Sequence, residues 1–195
     1  MGYPVFASGD VLNASDMNAV GLWRVTDCTV TSSGGTAATA SNGVITLGTG
    51  NTSVTVNSAF SSNYNRYRIT IDNIVASNAG DLQFRVGSAT AQYYGIYNYQ
   101  ISTGTSNTFY QNATGSAYIG GLSTSGSAGE QTITFDISQP NQATRTSWTG
   151  QSFGNNYYFN FGYQLADTTQ HTSFTIFPTA GTLTGGQIRV YGYQK

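Results

Sequence analysis

The sequence predicts an all-β chain, an antiparallel β-sandwich of jelly-roll type behind a short extended and helical amino-terminal segment. Three observations carry this reading. Charged residues are 8% of the 195 residues, against about 25% in an ordinary globular domain, so helices with ion-paired surfaces are disfavoured. Aromatics reach 13%, with 14 Tyr and 10 Phe, and these rings with β-branched Thr suit a pleated, half-buried surface. From Trp23 onward, short alternating runs are separated by Gly, Ser, Asn and Thr clusters, the pattern of a sandwich or barrel.

The first residues differ in texture. Tyr3-Pro4-Val5-Phe6 reads as extended, and Asn13 is placed to cap a short helix that Asp16, three positions on, would stabilise at its positive end. Leu12, Met17, Val20, Leu22 and Trp23 would leave such a small element with apolar surface needing cover. The boundary is therefore set between an attachment segment, 1–23, and a sandwich, 24–195.

Within the sandwich the clearest strands are 67–74, with Tyr67, Ile69 and Ile71 on one face, and 82–86, with Leu82, Phe84 and Val86 on one face. Alternation also predicts strands at 132–137, 157–165, 173–177 and 187–193. Weaker runs lie at 25–30, 44–47, 54–56, 93–101 and 118–122. Eight or more strands in one chain point to two packed antiparallel sheets. The segments 31–42, 102–115 and 123–129 are rich in Ser, Thr, Gly and Asn and read as exposed loop tips.

Composition also bounds function. The formal charge is −1 and the seven basic residues are scattered, which opposes nucleic-acid binding, since that needs clustered cations to displace counterions. No run of about eighteen apolar residues occurs, nor a basic stretch followed by an apolar one, so neither membrane insertion nor a cleaved leader is expected. Cys28 stands alone and reads as a buried thiol. The sequons at Asn13, Asn51 and Asn112 follow from composition and carry little meaning.

Catalytic constellations are sparse. Glycoside hydrolysis wants two convergent carboxylates, and the eight acidic residues lie apart in sequence. Asp72, Asp81, Glu130, Asp136 and Asp167 read as turn or cap residues. The single histidine, His171, falls in what reads as an exposed turn, and no Gly-x-Ser-x-Gly elbow accompanies it. One His and one Cys cannot build a conventional zinc site, no Asp-x-Asx-x-Asx-Gly calcium loop is present, and no glycine-rich run sits between strand and helix. No enzyme, metal or cofactor is expected.

Aromatic density beside amides is the distinctive feature, in residues 93–100 and 155–161. Rings project from both faces of such strands. One set fills the core, and the other covers a neighbouring subunit or stacks on a sugar. Tyr94, Tyr97, Tyr99, Trp148 and Tyr158 are the candidates for glycan or intersubunit contact, with Trp148 the best isolated sugar platform and equally an ordinary core residue.

The segment 3–18, YPVFASGDVLNASDMN, resembles the amino-terminal opening of many tailed-phage virion proteins, where a Phe, a Gly-Asp, a Leu and a later Asn precede a fibre or knob. Residues 186–195, GQIRVYGYQK, are similar to the closing strand of phage β-sandwich heads. The resemblance implies a virion surface protein of tail or capsid. Its attachment residues would be Pro4, Phe6, Gly9, Asp10, Leu12, Asn13, Asp16, Met17 and Asn18, docking on other virion proteins. It further implies a homotrimer that displays the sandwich for attachment to a host-surface glycan. A capsid decoration or cement protein is the alternative, favoured by the lack of a shaft, and a polysaccharide-degrading spike is the distant third.

Overall fold

The computed structural model describes residues 21–101, 103–104, 106–124, 131–154 and 157–193. The attachment residues and the helix expected after Asn13 lie outside the described residues, as do Glu130, Asn155 and Asn156.

All regular structure among the described residues is β. The strands are β1 Leu22–Arg24, β2 Thr29–Ser33, β3 Thr39–Ser41, β4 Val44–Thr46, β5 Ser53–Asn57, β6 Arg66–Ala76, β7 Gly80–Val86, β8 Tyr93–Ile101, β9 Ser106–Thr114, β10 Ala117–Leu122, β11 Gln131–Ser138, β12 Thr146–Gly154, β13 Tyr157–Leu165, β14 Phe174–Pro178 and β15 Leu183–Tyr193. They form two antiparallel sheets. The larger runs β3-β4-β15-β6-β11-β12-β13-β8-β9, with β1 also on β15, and the smaller runs β10-β7-β14-β5-β2. Every strand of the smaller sheet is entered from the larger one and left to it.

Alternation places the core as expected on β6 and β7: Tyr67, Ile69, Ile71, Leu82, Phe84 and Val86 are wholly buried. Facing rings tie the sheets together. Phe84 of the smaller sheet meets Phe135 edge-on at 5.1 Å and Trp148 at 5.5 Å. Tyrosine serves this core because each buried hydroxyl finds a partner. Tyr67 donates to the Ser61 carbonyl at 2.8 Å and accepts from the Ser61 amide at 2.7 Å. Tyr93 donates to Ala89 O at 3.1 Å and accepts from Val86 N at 2.9 Å. Glycines make room for rings crossing from neighbouring strands: a Cβ on Gly95 would lie 2.2 Å from the Tyr163 ring, and one on Gly150 2.3 Å from Phe135 Cβ.

Several expectations need correction. Residues 25–30 are not one strand: β1 ends at Arg24, with one further backbone bond from Val25 to Val190, β2 begins at Thr29, and the chain between them turns Cys28 into the core. Burial pushes the Cys28 thiol up to about 11, with the Asp27 charge adding to the effect, so the thiol is inert. The segments 31–42 and 102–115 are not loops throughout, because they contain β2, β3 and β9. The sandwich also takes in Leu22 and Trp23, which pair with Tyr193 and Gly192, so it begins before residue 24.

His171 is not exposed. It is 5% accessible, held by its backbone amide on Pro140 O and by Asn141, whose side-chain amide donates to the His171 carbonyl. Its imidazole lies against Gly87, which takes φ +55°, and its Nε2 stands 3.5 Å from Asp167. Burial lowers its pKa and the Asp167 carboxylate only partly opposes this. The unfolded chain therefore takes up the proton first as pH falls past about 6.5, and stability is lost on acidification. Between about pH 7.5 and pH 5, thermal melting is expected to drop more steeply for the native protein than for His171→Gln. Parallel curves would show that His171 does not titrate with unfolding.

Candidate functional site: an aromatic groove at the edge of the smaller sheet

The larger sheet is wider than the smaller. Strand β10 forms the smaller sheet's edge and packs over β11, β12 and β13, which leaves the ends of β8 and β9 projecting past it. Gly120 permits the close approach, since a Cβ there would lie 2.6 Å from Ser152 Oγ. Tyr118, which pairs with Gln83, reaches around to Tyr97 at 5.4 Å. The projecting strands thus curl around the edge of the smaller sheet and enclose a groove of about 620 Å3.

One wall of this groove is a set of rings standing side by side on β13, β8 and β9. Tyr97 stacks on Phe109 at 5.1 Å and 11° and on Phe159 at 5.5 Å and 9°. Tyr99 stacks on Phe109 at 5.6 Å and 8° and on Phe159 at 5.6 Å and 19°. Register explains the set: Phe159 pairs with Tyr99 and Phe109 with Tyr97, so all four side chains share one face of the sheet. Phe159 is buried, whereas Phe109 is 41% exposed and Tyr157 lies open at the groove's end.

The other wall is polar. Gly80 and Asp81 open β7, Gly121 and Leu122 close β10, and Ser123 and Thr124 follow it. The Asp81 main chain is fixed from both sides, donating to Thr179 Oγ1 at 2.8 Å and accepting from Thr179 N at 2.9 Å. Its carboxylate has no hydrogen-bond or ion-pair partner among the described residues, and burial raises its pKa. Burial, then the charge of Asp81, pushes the Tyr97 hydroxyl up to about 12.

The remaining described carboxylates have other work. Asp136 lies on the outer face of the larger sheet, where Arg68 Nε donates to it at 2.9 Å, Tyr193 at 2.9 Å and Arg66 at 3.3 Å. Burial opposes its charge, and these bonds and the two guanidinium charges more than offset that, holding its carboxyl below the usual range. Asp72 accepts from Arg189 at 2.6 Å, an ion pair rather than a turn. Asp167 does make the expected turn, accepting from Thr169 N at 2.8 Å. No cluster of three metal-ligating side chains occurs among the described residues, and no helix there is long and apolar enough to cross a membrane.

The five aromatic candidates separate. Tyr97 and Tyr99 come together in the groove. Tyr94 and Tyr158 stand on the opposite, outward face, the latter 5.0 Å from Phe153. Trp148 is a correction: at 1% exposure, stacked on Tyr163 at 5.7 Å, it is a core residue and offers no surface to a sugar. Sequence reasoning passed over Phe109, Phe159 and Asp81. The alternation Asn107, Phe109, Gln111 within 106–114 was the available signal, obscured by its loop-like composition.

No family model matches the chain, and no curated protein matches it. Among solved structures, a protein of unknown function from Shewanella oneidensis MR-1 is similar over 96% of this chain and 97% of its own, at 11% identity and a TM-score of 0.29. Porphyranase B from Zobellia galactanivorans is similar over 99% of each chain, at 12% identity and a TM-score of 0.34. The Crh5 transglycosylase in complex with NAG is similar over 89% of this chain and 84% of its own, at 7% identity and a TM-score of 0.28. Likeness at this level assigns neither a family nor a ligand.

Proposed function

We propose that the protein is a binding component of a phage particle, of the tail-fibre or receptor-binding type. In this reading the segment that carries Pro4 to Asn18 docks on other virion proteins and a trimer of sandwiches displays the aromatic groove to a host-surface glycan. The observation that carries glycan binding is the pairing of a ring wall with a polar wall across an open groove. Sugar rings present apolar C–H faces and hydroxyl edges, and an aromatic surface opposite hydrogen-bonding groups matches both. The placement on a virion rests on the resemblances of residues 3–18 and 186–195 alone.

The test is an oligosaccharide array probed with the full chain and with Phe109→Ala. Phe109 is partly exposed, so the variant should fold, and loss of one stacking ring is expected to weaken binding about tenfold. Absence of saturable binding to any oligosaccharide by the full chain would sink this reading.

The capsid decoration reading has one observation in its favour. The outward face of the larger sheet carries Tyr110 at 80% and Phe153 at 53% exposure, rings suited to cover a neighbouring subunit. Reconstruction of particles that carry the protein distinguishes the two: density over the capsomers rather than at the tail would favour decoration.

A further inference from the structure

We infer that the groove selects an uncharged pyranose, with Asp81 accepting hydrogen bonds from its hydroxyls, and turns away uronic and sulfated sugars. This rests on the glycan reading above and specifies its ligand.

The argument begins with the charges. Asp81 is the one ionisable acid or base among the groove's described lining residues apart from its tyrosines. The described arginines are engaged elsewhere. Arg85 donates to Gly115 O at 2.8 Å and lies over Phe177. Arg66 and Arg68 hold Asp136, and Arg189 holds Asp72. Arg145 donates to Gln164, and Arg24 lies over Tyr191. An anionic sugar would therefore bring its charge toward Asp81 with no described cation to compensate, in a site where the rings limit screening by water. A neutral sugar brings hydroxyl donors, and hydrogen bonds from hydroxyls to a carboxylate are among the strongest neutral ligands make.

Folding itself has no use for this charge. Asp81 is half-buried, lacks a described partner and is pinned through its main chain to Thr179, so it cannot swing out as a unit. Its raised pKa means that the folded state keeps the proton where the unfolded state has already lost it. Ionisation therefore opposes folding at neutral pH, and the penalty vanishes below the ordinary carboxylate range. A carboxylate that weakens its own fold, placed opposite stacked rings, fits a ligand contact better than a structural one.

The full chain, Asp81→Asn and Tyr99→Ala are titrated near pH 7 with neutral galactan oligosaccharides, neutral glucan oligosaccharides, oligogalacturonate and sulfated galactan oligosaccharides. The native chain is expected to bind a neutral set at least tenfold more tightly than either acidic set. Asp81→Asn is expected to lose about tenfold toward the neutral set, to narrow its preference over the acidic sets and to melt at a higher temperature than the native chain at neutral pH. Acidic oligosaccharides bound as tightly as neutral ones, with both lost in Tyr99→Ala, would overturn the selectivity and leave the glycan reading standing. Binding of no oligosaccharide would overturn both. Unaltered preference in Asp81→Asn would remove Asp81 from the contact.

Discussion

Replacing Trp148 with alanine is expected to lower the unfolding free energy by about 3–5 kcal/mol, a large fraction of the roughly 5–15 kcal/mol that holds a typical domain together. The indole sits where three rings converge: Tyr163 stacked at 5.7 Å, Phe84 edge-on at 5.5 Å from the opposing sheet and Tyr93 edge-on at 6.0 Å. Alanine would leave a cavity that rigid strands on both sides cannot collapse into. Trp148→Phe should be much milder. It keeps a ring in place and removes an Nε1 that is buried without a partner. Urea unfolding followed by far-UV circular dichroism measures both variants. A cost under about 1 kcal/mol for the alanine variant would place Trp148 outside the core.

Asn51→Ala is expected to cost about 2–4 kcal/mol, although it deletes a small polar side chain. Asn51 is wholly buried, and all three of its side-chain bonds reach backbone. It accepts from Gly48 N at 3.0 Å and donates to the carbonyls of Gly34 and Thr36, each at 2.8 Å. Its own main chain exchanges hydrogen bonds with Leu183. One residue thus joins the connections after β2 and β4 to the start of β15. Removing it takes three hydrogen bonds at once from the backbone of these connections, each worth about 0.5–1.5 kcal/mol. Asn51→Asp should be no better, because it turns a donor into a charged acceptor facing two carbonyl oxygens. Thermal melting against the exposed control Asn63→Ala is the check, and equal melting of the two variants would refute the knot.

Asn51 also shows where sequence reasoning stops. In the chain it is one sequon among three, and nothing local marks it as buried. What can be read locally is alternation. Residues 157–165 match β13 to the residue, and the inward sets of β6 and β7 follow directly from the spacing of Tyr67, Ile69, Ile71 and Leu82, Phe84, Val86. Strand β12 escaped notice because, apart from Trp148, its inward positions are Thr146, Gly150 and Ser152, small or polar residues that break the apolar alternation. Strand β9 escaped for the complementary reason: as an edge strand it has little to bury, and its composition matches a loop. Of the groove, Tyr97 and Tyr99 were legible as ring-bearing positions in an amide-rich strand. Their partners Phe109, Phe159 and Asp81 arrive from β9, β13 and β7: pairing register sets the rings side by side, and the packing of one sheet on the other brings Asp81 to face them.

The weaving of the chain between the two sheets has a kinetic consequence. Neighbouring strands of the larger sheet can zip locally, as β11, β12 and β13 do in an uninterrupted meander. No two strands of the smaller sheet are consecutive, and although β5 finds β2 nearby, its other neighbour β14 lies more than a hundred residues along. Closing loops of that length carries an entropic cost before any contact repays it. The meander is therefore the natural nucleus, and the groove, whose two walls belong to different sheets, takes shape among the last parts of the molecule to do so.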